Sequence, residues 1–557
     1  MKKWKFTFTL VGFLILSFII IFRLIQFQLI NHDFWKALAQ GQQRFFLESE
    51  ADRGEIFITD KNKERHPLAI NRKWEYVYIS PREINAGDDN PQEVIKFLAE
   101  TLNIDIGVIS RKVNRSHSSF ELIKTRLSPE ESLSIKNIDF SGIFVREGIV
   151  RYFPRNNLAS HIVGFLGGSG SGQYGIEGYH NNTLKGDRAL QERVKTFGGY
   201  FINRIFGSFE EGEDIFLTID YNIQFKAESL LRSAQERLDI DGGTILVGDP
   251  STGRIIALAN YPDFNPNKFF LEEDFSIFKN DAIQLVYEPG STFKAITMAI
   301  ALEEEKITPD TMFNDTGSVR IGGDTIRNFA QRVWGMVDMT TVLGKSINTA
   351  SVFIAELIGE DLFTEYLDKF GFLNLTGIGL QGEVYSRNLN FKRGYDINLA
   401  NASFGQGIEV TSMQLFRAFS ALANGGRLVN PYIVDRGQDV QMGDRVISER
   451  TSLEITTMMV ENINYGFSRT ARVSGYYVAG KTGTAQVAWS ALGIPKRGYS
   501  DKTIQSFIGY APAFNPEFLI LVKLDDPKTR TAEYSAAPIF SDLATFIINY
   551  YQIPPER

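Results

Sequence analysis

The chain has 557 residues, 43% of them apolar and 13% aromatic, and a net charge of −7. That length supports about three or four domains, or fewer large ones, with enough apolar residues for a substantial core. The acidic balance excludes an overall electrostatic pull toward nucleic acid, and the absence of cysteine excludes disulfides and thiolate chemistry while fitting either redox compartment. All five histidines (His32, His66, His117, His161 and His180) lie in the first 180 residues. A site in the C-terminal two-thirds is therefore expected to work without a Ser-His-Asp triad or a His-ligated metal.

Met1-Lys2-Lys3-Trp4-Lys5 is basic, and the 17 residues from Phe6 to Phe22 carry no charge. At 1.5 Å per residue that run reaches roughly 25 Å, enough to span a bilayer with snorkelling flanks. Basic residues before it predict a cytoplasmic tail over 1–5, an anchor over 6–24 and everything later outside. Ala37-Leu38-Ala39 resembles a signal-peptide processing site, but it lies beyond the apolar run, across Arg23, His32, Asp33 and Lys36. An uncleaved anchor is expected, continued by a juxtamembrane helix over 25–43.

Residues 44–214 read as alternating short strands and helices with loops rich in Gly, Asn and Ser, a pedestal domain of α/β type. Gly170, Gly172 and Gly175 make a formal G-x-G-x-x-G. Glu177-Gly178 and Asn181-Asn182 after it make a poor helix, so a surface loop is expected rather than a dinucleotide site. Gly, Ser and Glu cluster over 207–214, which places a boundary before a second domain over 215–557. There, the apolar runs on either side of Pro250-Ser251-Thr252-Gly253 predict a β-hairpin.

Three elements in the second domain carry chemistry. In Glu288-Pro289-Gly290-Ser291-Thr292-Phe293-Lys294, a turn signal precedes a stretch apolar nearly all round, as in a buried helix. Ser291 and Lys294 share a face at i, i+3. A serine there has the positive end of the helix beside it, and a desolvated lysine can serve as its base without histidine. Ser276-Ile277-Phe278-Lys279 has the same spacing but no apolar helix behind it. Ser346-Ile347-Asn348 opens a second apolar helical stretch, so its hydroxyl and amide could face one cleft; its decoy, Ser386-Arg387-Asn388, has no helix after it. Lys481-Thr482-Gly483-Thr484 reads as a strand whose Gly483 leaves a face open to a ligand backbone, with Lys481 and the threonine hydroxyls suited to a carboxylate.

S-x-x-K, S-x-N and K-T-G in this order are the signature of penicillin-binding proteins and serine β-lactamases. The chain resembles a class B penicillin-binding protein, a membrane-anchored peptidoglycan transpeptidase. The likeness also includes Arg53-Gly54-Glu55-Ile56, Gly175-Ile176-Glu177, Ile326-Arg327-Asn328 and Ser403-Phe404-Gly405-Gln406-Gly407. Asp60-Lys61-Asn62-Lys63 departs from the family's tendency to Asp-Arg-Asn-Gly. The resemblance implies an α+β multidomain protein, whose catalytic domain has the serine β-lactamase-like fold of an antiparallel sheet flanked by helices. It implies that Ser291 attacks a stem peptide ending in D-Ala-D-Ala with Lys294 as base, and that the N–H groups of Ser291 and Thr484 form the oxyanion hole. Ser346 would relay a proton to the leaving D-Ala and Asn348 would hold the peptide amide. Lys481, Thr482 and Thr484 would bind the terminal carboxylate. β-Lactams would acylate the same serine; no cofactor and no metal is expected.

A secreted β-lactamase would need neither anchor nor pedestal. D,D-Carboxypeptidase activity and a catalytically idle wall-synthesis scaffold stay open as alternatives. The absence of a glycan-polymerising domain implies a separate polytopic membrane glycosyltransferase as partner. Asn348 at the end of S-x-N favours septal over side-wall synthesis.

Overall fold

The computed structural model describes residues 52–167, 170–186, 191–195, 201–205, 211–435, 437, 443–496 and 498–556, together with residue 17. The expected anchor and juxtamembrane helix otherwise lie outside the described residues, among which no helix is long and apolar enough to cross a membrane.

The first unit hangs on one strand, Arg65–Ile79. Its 15 residues exceed the short strands expected here because it serves several partners. Its beginning pairs antiparallel with Ile56–Thr59, its end with Glu121–Lys124, and Ile143–Tyr152 runs along most of it. Helices Pro91–Leu102, Ile106–Val113 and Pro129–Lys136 bury Val94, Ile95, Leu98, Ile109 and Ile135 in one cluster with Val77 and Ile79. Each helix starts where a side chain (Asn90, Asp105 or Ser128) accepts a hydrogen bond from a first-turn N–H. Ser128 and Glu131 complete a reciprocal capping box.

Two segments far apart in sequence meet at a buried carboxylate. Arg53 Nε donates to Glu177 Oε2 at 2.8 Å, and Arg151 Nε donates to Oε1 at 2.7 Å. Close packing around Glu177 corrects the reading of the glycine loop as a surface loop. Gly172 and Gly175 are buried, and a Cβ on Gly172 would stand 1.7 Å from the Glu177 carbonyl oxygen. The following helix, Gly175–Tyr179, has five residues, too few for a dinucleotide-binding unit.

Strand Ile215–Asp220 joins the two units. It pairs in parallel with Ile56–Thr59, while Leu217 bridges to Val434. The units also meet through satisfied polar groups. Asn267 bonds both backbone groups of Phe153, Ala159 N–H donates to Glu228 at 2.7 Å, and Asn157 donates to Asp263 at 2.8 Å. His161 faces the Ile277 carbonyl at 2.9 Å, and burial pushes its pKa down to about 4, so the ring is neutral.

The second unit holds a five-stranded antiparallel sheet. In spatial order its strands are Ile255–Tyr261, Gly242–Gly248, Phe518–Asp525, Tyr499–Ala511 and Ala479–Ala488. The predicted hairpin is its first pair. Both faces are covered, and the two-residue period of a strand divides the side chains between two cores. Ile245, Val247, Phe507, Val522 and Leu524 pack with helices Tyr221–Leu238 and Ala536–Tyr551. Leu246, Leu258, Ile508, Leu519 and Leu521 pack with helices Lys294–Glu303, Ser412–Ala423 and Glu449–Tyr465. Ala479–Ala488 is an edge strand, so alternate backbone groups point away from the sheet.

Replacing Glu177 with Ala would strand Arg53 and Arg151 around a buried hole. Breaking a buried pair in this way costs about 3–5 kcal/mol, read as a lower denaturant midpoint for the pedestal transition of the full chain. A loss under about 1 kcal/mol, the scale of an exposed ion pair, would show that solvent reaches the cluster.

Candidate active site

The expected helix after Ser291 forms, with a tighter start. Gly290–Phe293 is a 3-10 turn, and the α-helix runs over Lys294–Glu303 with residues 294–302 all buried. Gly290 takes φ +57°, the left-handed region that favours glycine, and its N–H donates to the Gly405 carbonyl at 2.9 Å. A Cβ on Gly405 would stand 2.2 Å from the Gly290 oxygen. The Ser403–Gly407 segment is thus the floor on which the serine turn rests, and Thr297 Oγ1 ties it down by donating to Ser403 O at 2.8 Å.

Lys294 Nζ donates to Ser346 O at 2.6 Å and to Asn348 Oδ1 at 2.7 Å, and lies 3.2 Å from Ser346 Oγ. Lys481 Nζ reaches the same hydroxyl at 3.2 Å and donates to Thr482 O at 3.0 Å. Ser346 thus sits between two lysine amines that are 2% and 1% exposed, and among the described residues neither is ion-paired. Burial, and then the neighbouring Lys481, hold Lys294 well below its usual pKa. Burial pushes Lys481 down to about 7. As a neutral amine, Lys294 can donate to Ser346 O and Asn348 Oδ1 and keep a lone pair for a hydroxyl proton. The Ser291 hydroxyl is half-buried and has no hydrogen-bond partner among the described residues. The i, i+3 spacing puts the pair on one turn, while the lysine is held by the S-x-N segment.

Ser346 caps helix Met339–Lys345 at φ +55°, and Asn348 opens helix Asn348–Ile358, so the tripeptide forms the corner between them. That corner is fixed by residues outside the three motifs. Asn328 Oδ1 accepts the N–H groups of Asn348 and Thr349 at 3.0 and 3.2 Å. Asn328 Nδ2 donates to the Asp315 carboxylate at 2.8 Å, and Thr349 Oγ1 donates to it at 2.6 Å. Asn348 Nδ2 donates to Arg327 O at 2.9 Å, leaving one amide hydrogen for a ligand. Ile326-Arg327-Asn328 was visible as a family segment; Asp315 carries no motif at all.

Within the edge strand, Lys481 is 1% and Thr482 8% exposed. Thr482 Oγ1 accepts from Ser468 at 3.4 Å and Thr484 Oγ1 accepts from Ala532 N–H at 3.2 Å. Both hydroxyl protons therefore stay available to an anion. Gly483 needs correction. Its side is not open to a ligand, since a Cβ would stand 2.6 Å from Ser506 Oγ and 2.9 Å from both Pro289 O and Thr292 Cγ2. Glycine is required there because the strand packs directly on the serine turn.

Both decoys lie elsewhere. Ser276 and Lys279 are solvent-exposed around the 3-10 turn Phe275–Phe278, and Ser386 and Asn388 anchor a loop to Glu409. Asp60, Glu64 and His66 bring potential ligand atoms within 4.8 Å of one another. Glu64 is exposed and Asp60 accepts from the N–H groups of Asn62 and Glu64, so the group is a hairpin-turn cap.

A family model for the penicillin binding protein transpeptidase domain matches residues 243–545, and one for the penicillin-binding protein dimerisation domain matches residues 48–217. Among curated relatives, stage V sporulation protein D of Bacillus subtilis is 31% identical over 97% of this chain and 84% of its own length. Peptidoglycan D,D-transpeptidase FtsI of Escherichia coli is 27% identical over 100% of this chain and 93% of its own. Among solved structures, penicillin binding protein 3 of Mycobacterium tuberculosis, complexed with aztreonam, is similar in fold with a TM-score of 0.66. It is 23% identical, covering 91% of this chain and 98% of that one. With both domain models matched in order and relatives aligned along nearly its whole length, the chain belongs to the class B penicillin-binding proteins.

Proposed function

We propose that this protein is a serine D,D-transpeptidase that cross-links peptidoglycan stem peptides. The observation that carries this reading is the Ser346 hydroxyl held between two buried, unpaired lysines, one of them a turn away from Ser291. Relatives carrying the name peptidoglycan D,D-transpeptidase align over nearly the whole chain, which supports the same activity here.

Neutral Lys294 takes the proton of Ser291 as Oγ attacks the carbonyl carbon of the penultimate D-Ala. The N–H groups of Ser291 and Thr484 stabilise the oxyanion, a contribution of roughly 3–4 kcal/mol per donor in other serine enzymes. The C–N bond breaks, and Ser346 passes a proton from the lysine pair to the departing D-Ala amine, leaving an ester on Ser291. An amine from a neighbouring stem then attacks that ester, loses its proton to Lys294 and restores the serine. Asn348 holds the peptide amide, while Lys481, Thr482 and Thr484 hold the terminal carboxylate; Gly483 lets their strand lie on the serine turn. β-Lactams meet the same nucleophile.

In this reading the chain divides at 214/215. Residues 6–24 anchor it in a bacterial cell membrane, with the tail inside and both domains outside. It works in septal wall synthesis beside a polytopic membrane glycosyltransferase.

Covalent labelling of the detergent-solubilised full chain with a fluorescent penicillin tests the nucleophile. Wild type and Ser276→Ala are expected to label, and Ser291→Ala to give no adduct. Labelling that survives Ser291→Ala would overturn the assignment, and a folded wild type that never labels would favour an idle scaffold. Supplying an amine acceptor with a D-Ala-D-Ala peptide separates the two enzymatic readings, since a carboxypeptidase would release D-Ala without forming a cross-linked product.

The pH dependence follows from the sign of the Lys294 shift. Its pKa is lowered, so the neutral base accumulates as pH rises through a value well below 10.5, and the acylation rate should rise with it. Lys481→Gln removes a like charge and should move that inflection to higher pH. An inflection that stays in place in Lys481→Gln would show that the two amines do not interact.

A further inference from the structure

Around the cleft mouth, cations and aromatic faces are interleaved in a way that the steps above do not use. The Arg327 carbonyl accepts from Asn348, so this exposed arginine stands at the rim. Phe329 is 51% exposed, and the guanidinium of Arg530 lies 5.9 Å from its ring centroid. Arg530 comes from the opposite wall, two residues before the Ala532 N–H that donates to Thr484. Arg332 lies 5.1 Å from the Phe467 ring and 6.0 Å from Trp334. Lys345, the residue before Ser346, is 5.5 Å from each of those rings.

Among the described residues none of these four cations is ion-paired, in a chain whose net charge is −7. A guanidinium beside an aromatic ring and without an anionic partner can take a carboxylate two-pronged. Lys345 Nζ donates to Tyr465 O at 3.3 Å, whereas, among the described residues, the side chains of the three arginines keep their donors for an anion. These side chains flank Asn348 and Thr484, the two positions that hold the peptide in the reading above.

We propose that the rim is a subsite for carboxylates carried by the stem peptide on the N-terminal side of its D-Ala-D-Ala end. Arg332 and Arg530 are its specificity-determining residues. The proposal rests on the transpeptidase reading for the identity of the peptide, and its test is kept separate from catalysis. The full chain carrying Ser291→Ala, in detergent, is titrated calorimetrically with two synthetic peptides ending in D-Ala-D-Ala. One has a free carboxylate two to three residues upstream, and the other has that group as an amide.

The free acid is expected to bind about tenfold tighter at low salt, as for a hydrogen bond to a charged group. Adding Arg332→Gln and Arg530→Gln should bring the ratio close to one, and Arg530→Lys should leave part of it. A ratio near one in the parent, or one unmoved by either arginine replacement singly or together, overturns the subsite. Loss of penicillin labelling in wild type would count against the transpeptidase reading alone, because the peptide ratio is measured without acylation.

Discussion

Two lysine amines share one serine hydroxyl inside a cleft where, among the described residues, neither has a carboxylate partner. That constraint governs the rest of the catalytic unit. A buried ammonium without a counter-ion is costly, and the protein answers by shifting both groups toward the neutral form. The shift is also a stability statement. Between about 7, the folded value for Lys481, and its ordinary 10.5, the unfolded chain holds more protons than the folded one. Stability therefore rises with pH across that window, and below it the chain bears the whole cost of a buried charge. Packing elsewhere must supply that free energy, which is what a sheet covered on both faces by apolar helices provides.

Positional accuracy comes from three pieces that meet edge to edge. The serine turn sits on Gly405 below and against Gly483 at the side, with no room for a Cβ at either point. The S-x-N corner is held from behind by Asn328 and Asp315. The lysine of the edge strand reaches across to the corner. Because all three pieces converge on Ser346 and Ser291, an error in one cannot be absorbed by the others, since close-packed interiors transmit strain.

This arrangement explains how much could be read from the sequence. The serine, the lysine one turn later, the S-x-N corner and the K-T-G strand are local patterns, and apolar periodicity places each on its element. The β-hairpin at Pro250 to Gly253 was legible for the same reason, since turn chemistry and flanking strands are adjacent in the chain. What escaped depends on contacts between distant segments. Gly483 looked like an opening because its neighbour, the turn at Pro289, lies almost two hundred positions earlier. Arg53 and Glu177 each fall in a recognisable family segment, but 124 residues separate them and nothing local couples them. The length of the Arg65–Ile79 strand is likewise set by partners that pair with it from elsewhere.

The pedestal reaches the chemistry along a short path. Asn280 Nδ2 faces the His161 carbonyl of the first unit at 3.4 Å, and Asn280 Oδ1 accepts from Asn260 in the central sheet at 2.9 Å. Eleven residues after Asn280 comes Ser291. The intervening helix Asp281–Gln284 is capped by Asn280 and folded back onto it, since Gln284 Oε1 accepts the Asn280 N–H at 2.7 Å. The strand and turn that follow are then pinned by Thr411 and Gly405. The stretch that leads to Ser291 therefore begins at a contact with the pedestal and ends on the floor of the cleft. His161, neutral and buried against the Ile277 carbonyl, brings no charge to that contact, whereas Ala159 two residues earlier donates to Glu228, whose carboxyl burial raises to about 7. The pedestal is joined to this stretch by packing and hydrogen bonds. A displacement of the 153–161 segment would be felt at Ser291 through a dozen residues of chain rather than across the whole sheet.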